Sequence, residues 1–235
     1  MESDAAQLPI HERLFVWYST RQKQVHLGAV AVLVVGFATA LVLYERSTRE
    51  TEAGDALMHT IINAGRAGLR EATPESLLQV ASERSGTAAG GEALILAGGS
   101  FYLEDKFPEA QQAFALYLSR NPEGPLVEQA LLGVAASLEA QGKTDDAVKA
   151  YQKLNGRRPD YDVLQGQCSL ARLYEAQNKL EQARDLYDAV SRTAGSTILG
   201  NEAGIRLHEL ISSHPNLKPG PVNTGSLPPA GGPAQ

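Results

Sequence analysis

Residues 131–151 read LLGVAASLEAQGKTDDAVKAY, with Pro159 eight residues beyond. Leu131, Val134, Ala135 and Leu138 recur at helical spacing and give a first helix one apolar face. Gly142-Lys143 interrupts it, and Ala147 and Tyr151 then share one face of a second helix. The pattern has neighbours on both sides. Upstream stand Leu94, Ala97, Gly98 and Phe101, then Phe107, Ala110, Phe114 and Pro122. Downstream stand Leu170, Ala171 and Tyr174, then Asn178, Leu180, Ala183 and Tyr187. Ala110, Ala147 and Ala183 are 37 and then 36 residues apart, and Phe114, Tyr151 and Tyr187 keep both spacings. A two-helix unit of this length has one apolar face to hide and no closed core, so copies must stack. The third copy is weaker: Gln167 stands at its first position, and Gly195 where the others have proline.

The pattern resembles the tetratricopeptide repeat. The resemblance implies that Gly98, Ala135 and Ala171 let paired helices approach closely, while Phe101, Leu138 and Tyr174 fill the space between them. Asp105-Lys106, Gly142-Lys143 and Asn178-Lys179 fall where the chain must reverse, and Gly and Asn tolerate left-handed geometry at a helix end. Pro122 and Pro159 are expected to stop the second helices. The period exceeds the 34 residues of that repeat, and the turns at 121–125 and 155–162 are expected to absorb the excess. The fold class is therefore all-α: an α-solenoid of tetratricopeptide-like hairpins over 91–214, closed by a capping helix at Asn201–Ser212. Ahead of it, Leu57, Met58, Ile61, Ile62 and Leu69 share a helical face, and Thr73-Pro74 is a helix start that runs to about Arg84. These form a leading hairpin within 47–90. Residues 215–235 contain six prolines and four glycines with few large apolar side chains, which predicts disorder.

Leu27 to Tyr44 carries no formal charge and is apolar almost throughout. Eighteen residues at about 1.5 Å each give roughly 27 Å, close to a bilayer's hydrocarbon thickness. A cleaved signal has a shorter apolar run, and here Leu41-Val42-Leu43 still follow the one small-residue match, Ala38-Thr39-Ala40. The reading is a single transmembrane helix at 27–44 behind a leader at 1–26. Arg13, Arg21 and Lys23 precede it, and Arg46 and Arg49 follow, which places the N-terminus in the cytoplasm and the C-terminal domain outside it.

The chain has 21 basic and 27 acidic residues, a net charge of −6 and no basic stripe, which argues against nucleic acid. The lone Cys168 cannot form an internal disulfide. Gly142-Lys143-Thr144 ends like a phosphate loop, but the required earlier glycine is Ser137. His208-Glu209 opens like a zinc helix whose second histidine is Ser212. No catalytic residue, metal site or cofactor is expected, and no enzyme activity.

In tetratricopeptide stacks the first helices line a groove. That register selects Glu92, Ile95, Gly99, Tyr102 and Leu103, then Gln129, Leu132, Ala136 and Glu139, then Gln165, Cys168, Arg172 and Glu175. Apolar positions beside Gln, Glu and Arg suit protein segments. A second reading has Tyr102 and Leu103 packing on the leading hairpin instead. The whole layout, residues 11 to 212, resembles the ancillary subunit of the bacterial Sec translocon, whose repeat domain is related to that of the cell-division coordinator of the Tol-Pal system. That resemblance implies an inner-membrane protein whose periplasmic repeats contact the translocon and chaperones. The alternative is a structural scaffold for envelope, division or secretion complexes. The Pro/Gly tail departs from that family.

Overall fold

The computed structural model describes the backbone of residues 10–66 and 72–217 and, within these, the side chains of 21–22, 31–64 and 72–217. The ends of the expected leader and tail, at 1–9 and 218–235, lie outside the described residues, as does Leu69. Among the described residues there are nine helices and no strand. The chain divides into two compact units, one ending at Asp55 and the other beginning at Ala56.

Helix α1, Ile10–Arg66, contains the apolar run, and only Arg21 departs from helical dihedrals (φ −121, ψ 22). The sequence reading set the span apart from a helix beginning near Asp55. The structure instead carries the helix through residues 45–54 without a break. Glu45 and Arg49 form an i,i+4 pair at 3.7 Å there, the Thr48 and Thr51 hydroxyls donate to carbonyls one turn back, and the stretch holds no proline. Ala31–Ala64 holds a window of mean hydropathy 1.4, long and apolar enough to cross a membrane, and none of that window is buried. Val32, Leu33, Val35, Phe37 and Tyr44 are all more than 60% exposed.

In the second unit, Leu57 and Ala64 are buried. Helix α2, Pro74–Glu83, starts where Thr73 accepts a hydrogen bond from the Ser76 N–H. Three hairpins follow: α3 (Ala88–Leu103) with α4 (Phe107–Arg120), α5 (Val127–Ala140) with α6 (Thr144–Gln152), and α7 (Tyr161–Ala176) with α8 (Leu180–Ala194). Helix α9, Ile198–Ser213, packs on α8 and starts at Thr197, whose hydroxyl oxygen accepts from the Gly200 N–H at 3.1 Å. Helix α2 packs on α3. First helices also touch in series, α3 on α5, α5 on α7 and α7 on α9, whereas α4, α6 and α8 do not touch one another. The first helices therefore form the inner layer of the stack and the second helices fan outward.

The repeat is geometrical as well as textual. Ala110, Ala147 and Ala183 are each the fourth residue of their helix and fully buried, and Phe114, Tyr151 and Tyr187 are each the eighth and buried. A side chain larger than methyl at the alanines would push paired helices apart. The three reversals share one conformation. Asp105, Gly142 and Asn178 have φ of 57, 74 and 57. The N–H groups of the following lysines, Lys106, Lys143 and Lys179, return to the carbonyls of Phe101, Leu138 and Tyr174 at 2.8–3.0 Å. This six-to-one bond satisfies a carbonyl that the helix end would otherwise orphan. Lys106 and Lys179 also lie over the Phe101 and Tyr174 rings, at 5.7 and 5.5 Å.

The prolines divide. Pro122 directly follows Asn121, the cap of α4. Helix α6 ends at Gln152, well short of Pro159, so that proline does not stop it. Tight turns over 153–157 end the helix and bury Leu154 completely, with Gly156 at φ 79. At the C-terminus, the segment expected to be disordered from Pro215 opens with an ordered turn: Leu217 is buried and its N–H donates to the His214 carbonyl at 2.8 Å.

Candidate functional site

A groove of about 800 Å³ runs along α5 between α3 and α7. Small residues at Gly99, Gly133 and Ala136 leave its floor open, and no atom lies within 4 Å of where a Gly99 Cβ would stand. Ile95, Tyr102, Leu103 and Leu132 make its apolar part, on α3 and the facing side of α5. Gln129, Glu139, Asp162, Gln165, Ser169 and Arg172 make its polar part. Tyr102 is held by Phe107, whose ring it meets edge-on with centroids 5.2 Å apart. Leu103 is 72% exposed. Both line the groove.

Two side chains from the outer layer reach through to line the groove. Phe114 of α4 lies between Gly98 of its own hairpin and Gly133 of the next, and a Cβ on either glycine would stand 2.8 or 2.5 Å from the ring. Tyr151 of α6 is buried and its hydroxyl donates to Glu139 Oε2 at 2.8 Å. Arg172 Nη2 donates to Glu139 Oε1 at 2.7 Å. Burial first, and the Glu139 carboxylate second, push the Tyr151 phenol far up, which keeps it a donor. The third hairpin repeats the device: Tyr187 Oη donates to Glu175 Oε2 at 3.3 Å across the same twelve-residue spacing. In the first hairpin the corresponding pair is Tyr102 and Phe114, so the hydroxyl and the carboxylate are replaced together.

The edge of the groove at the start of α5 and α7 is acidic. Asp160 Oδ1 accepts from the Val163 N–H at 2.9 Å and caps α7. Glu128 takes Arg157 Nη1 at 2.6 Å, which holds its carboxyl below the usual range despite partial burial. Asp162 is half-buried; burial, then the Asp160 and Glu128 charges, push its carboxyl up. Among the described residues no set of three His, Cys, Asp or Glu side chains is placed to hold a metal ion.

Of the residues selected from sequence, the groove brings together Ile95, Tyr102, Leu103, Gln129, Leu132, Glu139, Gln165 and Arg172, with Gly99 and Ala136. Glu92 is exposed on the second turn of α3 and does not line it. Glu175 is engaged by Tyr187. Cys168 lines a separate cavity of about 200 Å³ with Tyr187, Glu202 and Arg206. Sequence reasoning missed Gly133, Ala140, Asp162 and Ser169, and treated Phe114 and Tyr151 as packing alone. The twelve-residue Glu-to-Tyr spacing, present twice, was the available signal for Tyr151.

Residues 138–197, from the end of α5 through α8, match the tetratricopeptide repeat family model. No curated protein matches the chain. Among solved structures, the chain is similar to BtubC (BKLC) from P. vanneervenii at 21% identity, over 68% of this chain and 67% of that one, with a TM-score of 0.49. It is also similar to a Podosopora anserina protein with nearly identical TPR-like repeats at 15% identity, over 72% and 87% of the two chains, with a TM-score of 0.48.

Proposed function

We propose that this chain is a membrane-anchored adaptor whose repeats bind segments of other proteins. The observation that carries the reading is the groove on the inner layer: open, floored by small residues, half apolar and half polar. Concave apolar sites with a few fixed polar groups recognise polypeptide segments by side-chain insertion and hydrogen bonding. Tetratricopeptide repeats, matched over 138–197, are protein-binding scaffolds. The anchor is the apolar part of α1, whose central turns carry apolar side chains on every side and one hydroxyl, Thr39, which donates to the Val35 carbonyl; such a surface is disfavoured in water and suited to lipid.

The finer reading is an inner-membrane protein with its N-terminus in the cytoplasm and its repeats outside, working at the Sec translocon and its chaperones. It rests on the layout of leader, span and repeats and on the arginine and lysine count around the span. A scaffold for envelope, division or secretion assemblies is the alternative on the same architecture. A photo-crosslinking side chain at Leu132, with a control at Leu116 on the outer layer, separates them in living bacteria. Adducts from Leu132 and none from Leu116 are expected, and adducts equal at both positions would remove the groove from the mechanism. Translocon subunits in the Leu132 adduct favour the first reading, and division or envelope proteins the second. Protease added to spheroplasts should digest the repeats, and full protection would reverse the topology.

A further inference from the structure

Resting on the groove reading above, the charge layout narrows what the groove takes. Four acidic side chains face it or its edge beside α5 and α7, and three are already engaged. Glu139 is shared between Tyr151 and Arg172, and Glu128 holds Arg157. Asp162 lines the groove, and among the described residues no cation or hydrogen-bond donor pairs with it. Capping does not occupy it, because Asp160 supplies the cap of α7. Arg157 and Arg172 are each committed to another carboxylate. A half-buried acid kept beside Asp160 and Glu128 is unfavourable in the empty groove, and burial raises its proton affinity accordingly. A cation arriving from outside would relieve that cost. At the other end, Leu103 is exposed, and the Tyr102 ring, which Phe107 meets edge-on, and the half-buried Leu132 continue the apolar lining.

We infer that the groove recognises a polypeptide segment carrying aliphatic side chains for the Ile95–Leu103–Leu132 end and a lysine or arginine for Asp162. The basic residue selects among apolar segments, because an acidic residue in its place would meet Asp162, Asp160 and Glu128 together.

The test uses the full chain in nanodiscs of zwitterionic phosphatidylcholine, so that lipid charge does not attract the probe. The probes are fluorescein-labelled dodecapeptides, capped at both ends, with two leucines and one lysine in an alanine and glutamine background. Matched versions carry glutamate for lysine, or glutamine for both leucines. Anisotropy should show the lysine peptide binding roughly tenfold tighter than the glutamate one, about 1.4 kcal/mol. Asp162→Asn should sharply reduce that preference while leucine dependence persists, and Asp162→Arg should invert it. Glu92→Gln, outside the groove, should leave it unchanged. Equal binding of the lysine and glutamate peptides to the wild-type chain would overturn the inference and leave the groove reading standing. Leucine-independent binding, or none, would overturn both.

Discussion

Phe114 shows how a single side chain ties neighbouring hairpins. Its ring has glycine on both sides, so nothing on α3 or α5 can yield if either glycine gains a methyl. Gly133→Ala is expected to destabilise the repeat domain by about 1–3 kcal/mol, read as a lower urea midpoint with an unchanged slope. Gly99→Ala, with open space at the corresponding point, should not destabilise it. Cys168 supplies a test of electrostatics. Burial, and after it the Glu202 charge, raise its thiol to about 11, with Arg172 opposing. Only the thiolate reacts, so iodoacetamide labelling of the native chain should be slow at neutral pH and rise about tenfold per pH unit until near 11. Glu202→Gln should shift that profile to lower pH. A profile centred near 8.5 would contradict the assigned surroundings.

At the scale of elements, much of the architecture was legible because the repeat writes the same physical requirement three times. The alanines, the aromatics and the turn positions mark contacts that each hairpin must make again. What the sequence hid is where no repetition helps. Helix α6 stops at Gln152 because Leu154 turns inward, and a proline seven residues on disguised that. Asp162 escaped notice because the stretch before it, 153–160, has no equal elsewhere in the chain. Gly133 and Ser169 sit beside the expected register positions, since the groove face is broader than a single line of residues. The turns carry a prediction of their own. Asp105 and Asn178 hold the left-handed conformation that Gly142 adopts without a Cβ. Asp105→Gly should stabilise by up to about 1 kcal/mol, and Asn178→Ala should cost about 1 kcal/mol. Thermal melts of the three chains decide it, and no change in either direction would show that side-chain bonding at these turns compensates the backbone.

For the whole chain, the assignment of α1 to lipid has a direct measurement. The intact protein should stay in the membrane pellet after alkaline carbonate washing, whereas a chain lacking residues 1–46 should move to the supernatant with its helical content per residue retained. Pelleting of the shortened chain would place the anchor elsewhere, and the exposed Ile198 and Ile205 of α9 would be the first surface to examine. The ring of Phe114 also has a mechanical meaning. It is the shim between two adjacent hairpins, and its thickness sets how far one is rotated against the next. A slimmer leucine there would let the hairpins close together and pinch the cleft above Gly99 and Gly133, so the gauge of the opening offered to a ligand is governed from the far side of the wall that ligand touches.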